Sequence, residues 1–126
     1  MSNSRVQGVV GVGKAIAYFT EKEIPTFVPL ADYADYDLVI DYDGLKKVQV
    51  RTSTCLNSRG KYAVNMRVFG GNAKAGARMH KLGTEMVYDY LFVYLGDGSQ
   101  YLIPKADIAN IANQLVITQK HDQYKI

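Results

Sequence analysis

A chain of 126 residues with a net charge of +3, 48% apolar and 21% charged, has the balance of an ordinary globular protein and reads as one domain spanning 1–126. Its longest apolar run, Val9 to Phe19, is interrupted by glycines and Lys14, and Met1 to Arg5 has no signal-peptide pattern, so a membrane span is excluded and the cytoplasm is expected. A single cysteine, Cys55, excludes a disulfide framework and a multi-cysteine zinc site.

Apolar residues at Val12, Ala15, Ile16 and Phe19 predict an amphipathic helix over about 11–22, stopped by Pro25. Thr26 to Pro29 reads as a short strand, and Tyr36 to Tyr42 as a longer one ending at the turn signal Asp43-Gly44. Lys47 to Thr52 alternates as its neighbour, and another strand is expected over Tyr62 to Phe69. Gly70 to Gly76 reads as a glycine-rich basic loop. Tyr88 to Leu95 and Gln100 to Ile103 flank Gly96-Asp-Gly-Ser as a hairpin. A helix over Ala106 to Gln114, a strand over Leu115 to Thr118 and a polar tail complete the order. The expectation is an α/β (α+β) domain, a central mixed sheet flanked by helices.

Gly8 to Ala15 imitates a phosphate-binding P-loop, but Ala15 stands where a metal-ligating hydroxyl is required. The two histidines, His80 and His121, are isolated and build no His-rich nuclease motif. Charge is distributed unevenly. Between Gly44 and Thr84 there is no acidic residue, yet nine of the fifteen basic ones lie there. Asp32 to Asp43 holds five aspartates and no Lys or Arg. A long positive tract suits a polyanion such as double-stranded DNA, and the acidic cluster beside it suits a divalent cation.

Chemistry concentrates at Asp37, Gln49 and Arg51. Alternate residues of a strand share a face, so Gln49 and Arg51 point one way together with Lys47. Whether Asp37 joins them depends on the hairpin loop. A two-residue Asp43-Gly44 turn pairs Asp37 with Val50 and separates it from Gln49, whereas a three-residue loop, Tyr42-Asp-Gly44, pairs Asp37 with Gln49. With the second register a carboxylate, an amide oxygen and a guanidinium converge. Asp37 and the Val50 carbonyl then form a candidate site for Mg²⁺ or Mn²⁺.

Asp37 followed by Gln49-Val-Arg51 resembles the PD-(D/E)XK nuclease signature. The segments 13–19, Val28 to Asp32, Tyr36 to Ile40, Val48 to Thr52, Gly70 to Asn72, Tyr88 to Val93 and Tyr101 to Pro104 are, in order, similar to group I intron-encoded homing endonucleases of that superfamily. The resemblance implies a restriction-endonuclease-like core and double-strand cleavage of a long DNA target by a homotetramer, with apolar faces near Leu115 to Ile117 as candidate contacts.

In that pattern Gln49 replaces the usual acid and Arg51 the usual lysine, and no glutamate stands near Val12 on the first helix, which argues against a second metal. Arginine stays protonated at ordinary pH and cannot act as a base, so Lys47 or Lys14 are candidates for the lysine's role. Candidate DNA contacts are Lys14, Lys47, Arg67, Lys74, Arg78 and Lys81. The alternatives are a catalytically inactive DNA-binding relative of the same fold and a structure-selective repair or junction nuclease.

Overall fold

A computed structural model describes residues 3–31, 33–70, 78–81 and 87–126, without the side chains of 68–70 and 78–81. The helix α1 (Ser4–Glu21) starts earlier than the apolar pattern indicates, because Asn3 caps it: its Oδ1 accepts the Val6 N–H at 2.9 Å. Glu23, in the left-handed region at φ 61°, turns the chain out of the helix two residues before Pro25. The P-loop-like glycines therefore lie inside a helix.

Strands β1 (Thr26–Phe27), β2 (Leu38–Asp41), β3 (Leu45–Ser53), β4 (Ala63–Asn65), β5 (Arg67–Gly70), β6 (Arg78–Lys81), β7 (Tyr90–Leu95), β8 (Gln100–Pro104) and β9 (Gln114–Val116) follow. The main sheet runs β1-β2-β3-β7-β8, with β3 and β7 parallel and the other neighbours antiparallel. Two ribbons, β4-β9 and β5-β6, stand apart from it.

Each face of the sheet carries its own core. Ala15 and Phe19 of α1 pack on Leu38, Ile40, Val48, Val50 and Phe92. Leu91, Val93, Leu95, Tyr101 and Ile103 face the other way, onto Val64, Met66, Ile108, Leu115 and Ile117. Strand β7 is thus buried on both sides, as its unbroken apolar run requires.

Three expectations are corrected. The single strand over Tyr62 to Phe69 is two, β4 and β5, broken at Met66, whose side chain is fully buried and whose N–H goes to the Asn113 carbonyl. The helix over Ala106 to Gln114 is only a 3-10 turn, Lys105–Asp107, because Ile108 and Ile111 are spaced by three and their N–H groups bond three residues back. Leu115 and Ile117 lie inside the chain's own core and are not free for subunit contacts. The glycine-rich loop falls almost wholly outside the described residues, between β5 and β6, which pair with Arg67 opposite Lys81.

The helix sits close to the sheet at Gly11. A methyl there would overlap Thr52 Cγ2 and lie 3.2 Å from Val50 Cγ1, whereas one on Gly13 meets nothing within 4 Å. Gly13→Ala is therefore expected to stabilise by about 0.5–1 kcal/mol through helix propensity. Gly11→Ala is expected to destabilise by about 1–3 kcal/mol despite the same propensity gain. Urea unfolding at constant slope compares the two.

The tail is ordered as a second 3-10 segment, Gln119–Tyr124, anchored by buried His121, whose Nδ1 accepts the Thr118 N–H at 3.0 Å. Burial, aided by the Lys120 charge, holds this imidazole below its ordinary value of 6.5. The unfolded chain therefore takes up the proton first. Stability from this anchor is complete above about pH 7.5 and declines as pH falls through 6.5 toward the lower folded value. The melting temperature should fall over that range in the native chain and fall less in His121→Gln; parallel profiles would remove His121 as the cause.

Candidate active site

The hairpin loop between β2 and β3 decides the site. Asp41 pairs with Leu45 and Leu38 with Val48, leaving three loop residues, Tyr42, Asp43 and Gly44. Asp43 and Gly44 both have positive φ, 55° and 98°, and the Tyr42 N–H closes the loop on the Gly44 carbonyl at 2.9 Å. This is the register that places Asp37 opposite Gln49.

Regular pairing ends at Leu38, with one more bond, from the Asp37 N–H to the Val48 carbonyl at 2.9 Å. Beyond it β3 continues without a strand on that edge. The Val50 N–H, which would otherwise bond a neighbouring strand, donates to Asp37 Oδ2 at 2.9 Å. A strand residue's N–H and C=O point to the same edge, so the Val50 carbonyl faces the same notch.

The notch opens into a cleft of about 700 Å³ between β3 and the first half of α1. The sheet contributes Asp37, Gln49, Val50 and Arg51; the helix contributes Ser4, Arg5, Gly8, Val9 and Val12. Gln49 is only 6% exposed, and its amide makes no hydrogen bond among the described residues. Arg51 Nε donates to the Asn65 carbonyl at 3.1 Å.

Burial sets the electrostatics. Desolvation raises the Asp37 carboxyl above its ordinary value, against the Val50 N–H and the Arg51 charge, which favour the anion. The Arg51 guanidinium is lowered by the same burial and held up by Asp37. Tyr88, deep in the core and within the field of Arg51, has a hydroxyl with no partner among the described residues, and burial pushes it up to about 12.

A family model described as PD-(D/E)XK endonuclease matches residues 2–125. The chain belongs to that endonuclease family. Its fold is also similar to the solved structure of a bacterial homing endonuclease, I-Ssp6803I, with a TM-score of 0.77 at 22% identity over 98% of this chain and 89% of that one. No curated protein matches. The sheet with α1 on one face is therefore a restriction-endonuclease-like fold, as the sequence resemblance implies.

PD-(D/E)XK nucleases generally use divalent metals, and the donor set here fits one hard ion. No group of three or more His, Cys, Asp or Glu exists among the described residues. What the notch offers is one carboxylate, one backbone carbonyl and one buried amide, an all-oxygen set with room for water, suited to Mg²⁺ or Mn²⁺ and unsuited to a soft-ligand metal.

The other sequence candidates lie elsewhere. Lys14 rests its Nζ over the Tyr94 ring, 5.6 Å from the centroid, and Lys47 over Tyr36 at 5.3 Å; neither lines the cleft. Arg67 is exposed on β5, Arg78 and Lys81 belong to β6, and Lys74 is outside the described residues. Sequence reasoning missed Arg5, Tyr88 and the Asn65 carbonyl. A cation in the first turn of a helix would have flagged Arg5 had Asn3 been read as the cap; nothing in the sequence flags the other two.

Asp37→Asn keeps an acceptor for the Val50 N–H and removes the buried charge. In metal-free protein at neutral pH it should raise the melting temperature by a few degrees. A carboxyl whose folded pKa is raised lends its stability below its ordinary value of 3.8 and loses it as pH rises, so the difference should vanish in acid. Millimolar Mn²⁺ should stabilise the native chain and not the variant; equal stabilisation would remove Asp37 as a ligand.

Proposed function

We propose that this chain, acting as one nuclease domain over 1–126, is a metal-dependent endonuclease that hydrolyses phosphodiester bonds in double-stranded DNA at specific sites, as a homing or mobile-element nuclease. The observation that carries the reading is the hairpin register, which brings Asp37, Gln49, the Val50 carbonyl and Arg51 around a single cleft. The homing assignment is supported by the name of the similar solved structure.

Asp37 supplies the anionic ligand, and the Gln49 amide oxygen and Val50 carbonyl supply neutral ones. A bound Mg²⁺ or Mn²⁺ would acidify a water and polarise the scissile phosphate. The Val50 N–H fixes one Asp37 oxygen and leaves the other for the ion. Arg51, aimed by Asn65, stabilises the extra negative charge as the attacking oxygen adds to phosphorus. Because arginine holds its proton, the proton of the attacking water passes to solvent or to a phosphate oxygen rather than to this side chain. The basic tract, with Lys14, Lys47, Arg67, Lys74, Arg78 and Lys81, grips flanking phosphates, and a two-stranded ribbon such as β5-β6 has the width of a major groove. A homotetramer is proposed from the sequence resemblance, since two-fold related copies would cut both strands.

One observation favours a second reading, an inactive DNA-binding relative: the always-protonated Arg51 at the lysine position. Asp37→Ala should abolish Mg²⁺-dependent plasmid cleavage, at least 10²-fold, with duplex affinity nearly unchanged. Unchanged cleavage would remove Asp37 from the mechanism. If the native chain does not cut and Arg51→Lys does, the second reading stands.

A further inference from the structure

The charges lining the cleft do not suit two metal ions. Among the described residues that line it, Asp37 is the only carboxylate, and the cations are Arg51 on the strand and Arg5 on the helix. A second divalent ion, held a few ångströms from the first, would need anionic ligands of its own, and the helix wall offers none: Ser4, Gly8, Val9 and Val12 stand there.

Arg5 is oddly placed for a structural residue. It occupies the first turn of α1, where the helix dipole is positive and acidic residues are favoured, yet that turn has no acid. It is exposed, and it forms no ion pair with another described residue. A bound anion would turn this local repulsion into attraction. Two further features point to a ligand here. Gln49, nine-tenths buried, presents an unpartnered amide to the same cleft. A Cβ built on Gly8, one turn beyond Arg5, meets nothing within 4 Å, so the helix wall leaves space for a bulky oxyanion.

We propose that the cleft takes one divalent ion per chain, and that Arg5 binds the non-bridging oxygens of the scissile phosphate from the helix side while Arg51 binds them from the strand side. The two arginines supply the charge that a second ion would otherwise bring. Being permanently protonated, they do so without gaining or losing a proton during the reaction. The proposal rests on the nuclease reading above, and it assigns Arg5 a direct contact with substrate.

The test uses the full chain, native and Arg5→Gln, with Arg5→Lys as the conservative control. Duplex binding is measured without metal as a function of salt. Loss of one phosphate contact should lower the slope of log K against log[salt] by about 0.9. Single-turnover cleavage in Mg²⁺ should fall about tenfold or more and recover largely in Arg5→Lys. Mn²⁺ titration followed by electron paramagnetic resonance should give one bound ion per chain in native protein and Arg5→Gln alike.

Two Mn²⁺ per chain, or an unchanged salt slope in Arg5→Gln, would overturn the proposal. A changed slope with unchanged cleavage would overturn the contact at the scissile phosphate, leaving Arg5 on a flanking one. If the native chain cuts no duplex, the nuclease reading and with it the scissile-phosphate contact fail, while the slope and the ion count still decide whether Arg5 meets a phosphate and whether the cleft takes one ion.

Discussion

The hydrogen bond from the Val50 N–H to the Asp37 carboxylate holds the site together. It exists because β2 stops one residue short and a side chain takes over the role of a strand. A backbone donor left bare at a sheet edge must find a partner, and a carboxylate is a strong one. The same bond orients the acid, leaves one of its oxygens free and keeps the neighbouring carbonyl directed at the notch. Upstream of it lies a single choice, three loop residues instead of two. With two, Asp37 would pair with Val50 and face away from Gln49.

That choice was legible as a question and not as an answer. Asp43-Gly44 suits both loop lengths, and the three-residue loop places two residues, Asp43 and Gly44, in the left-handed region. The strands of the main sheet were readable because their alternation or continuous apolar run is set by burial. The helix start was missed because Arg5 to Gly8 carries little apolar periodicity and Asn3 does the work of nucleation. Ala106 to Gln114 imitates a helix with two isoleucines three apart, a spacing that a 3-10 turn satisfies equally. The β5-β6 ribbon was hidden by the glycines of its connecting segment. Tertiary contacts such as Arg51 with Asn65, or the buried Tyr88 hydroxyl, have no local signature at all.

Several features of the site work against stability. A half-buried carboxylate resists ionisation, a buried phenol lacks a partner among the described residues, and a cation occupies the wrong end of a helix dipole. Each costs about 0.3–3 kcal/mol in a protein of ordinary stability. The carboxylate and the cation line one cleft and the phenol lies in the core within the field of Arg51, while the rest of both cores is apolar. Local rules broken near one place and kept elsewhere mark a binding site.

On the proposed assignment, arginine at the lysine position alters what the site can do more than how it binds. A lysine beside a metal can be pushed toward neutrality and take a proton from water; a guanidinium under the same burial stays charged. Burial presses on Arg51 and Asp37 opposes it only in part, just as Arg51 only in part offsets the burial of Asp37. The pair therefore behaves as one unit. On the proposed function, a cation drawing on the Asp37 charge would deprive Arg51 of part of its counter-ion and make it a stronger seat for phosphate. Metal and substrate should then bind with positive coupling through these two side chains, with no movement of the backbone required.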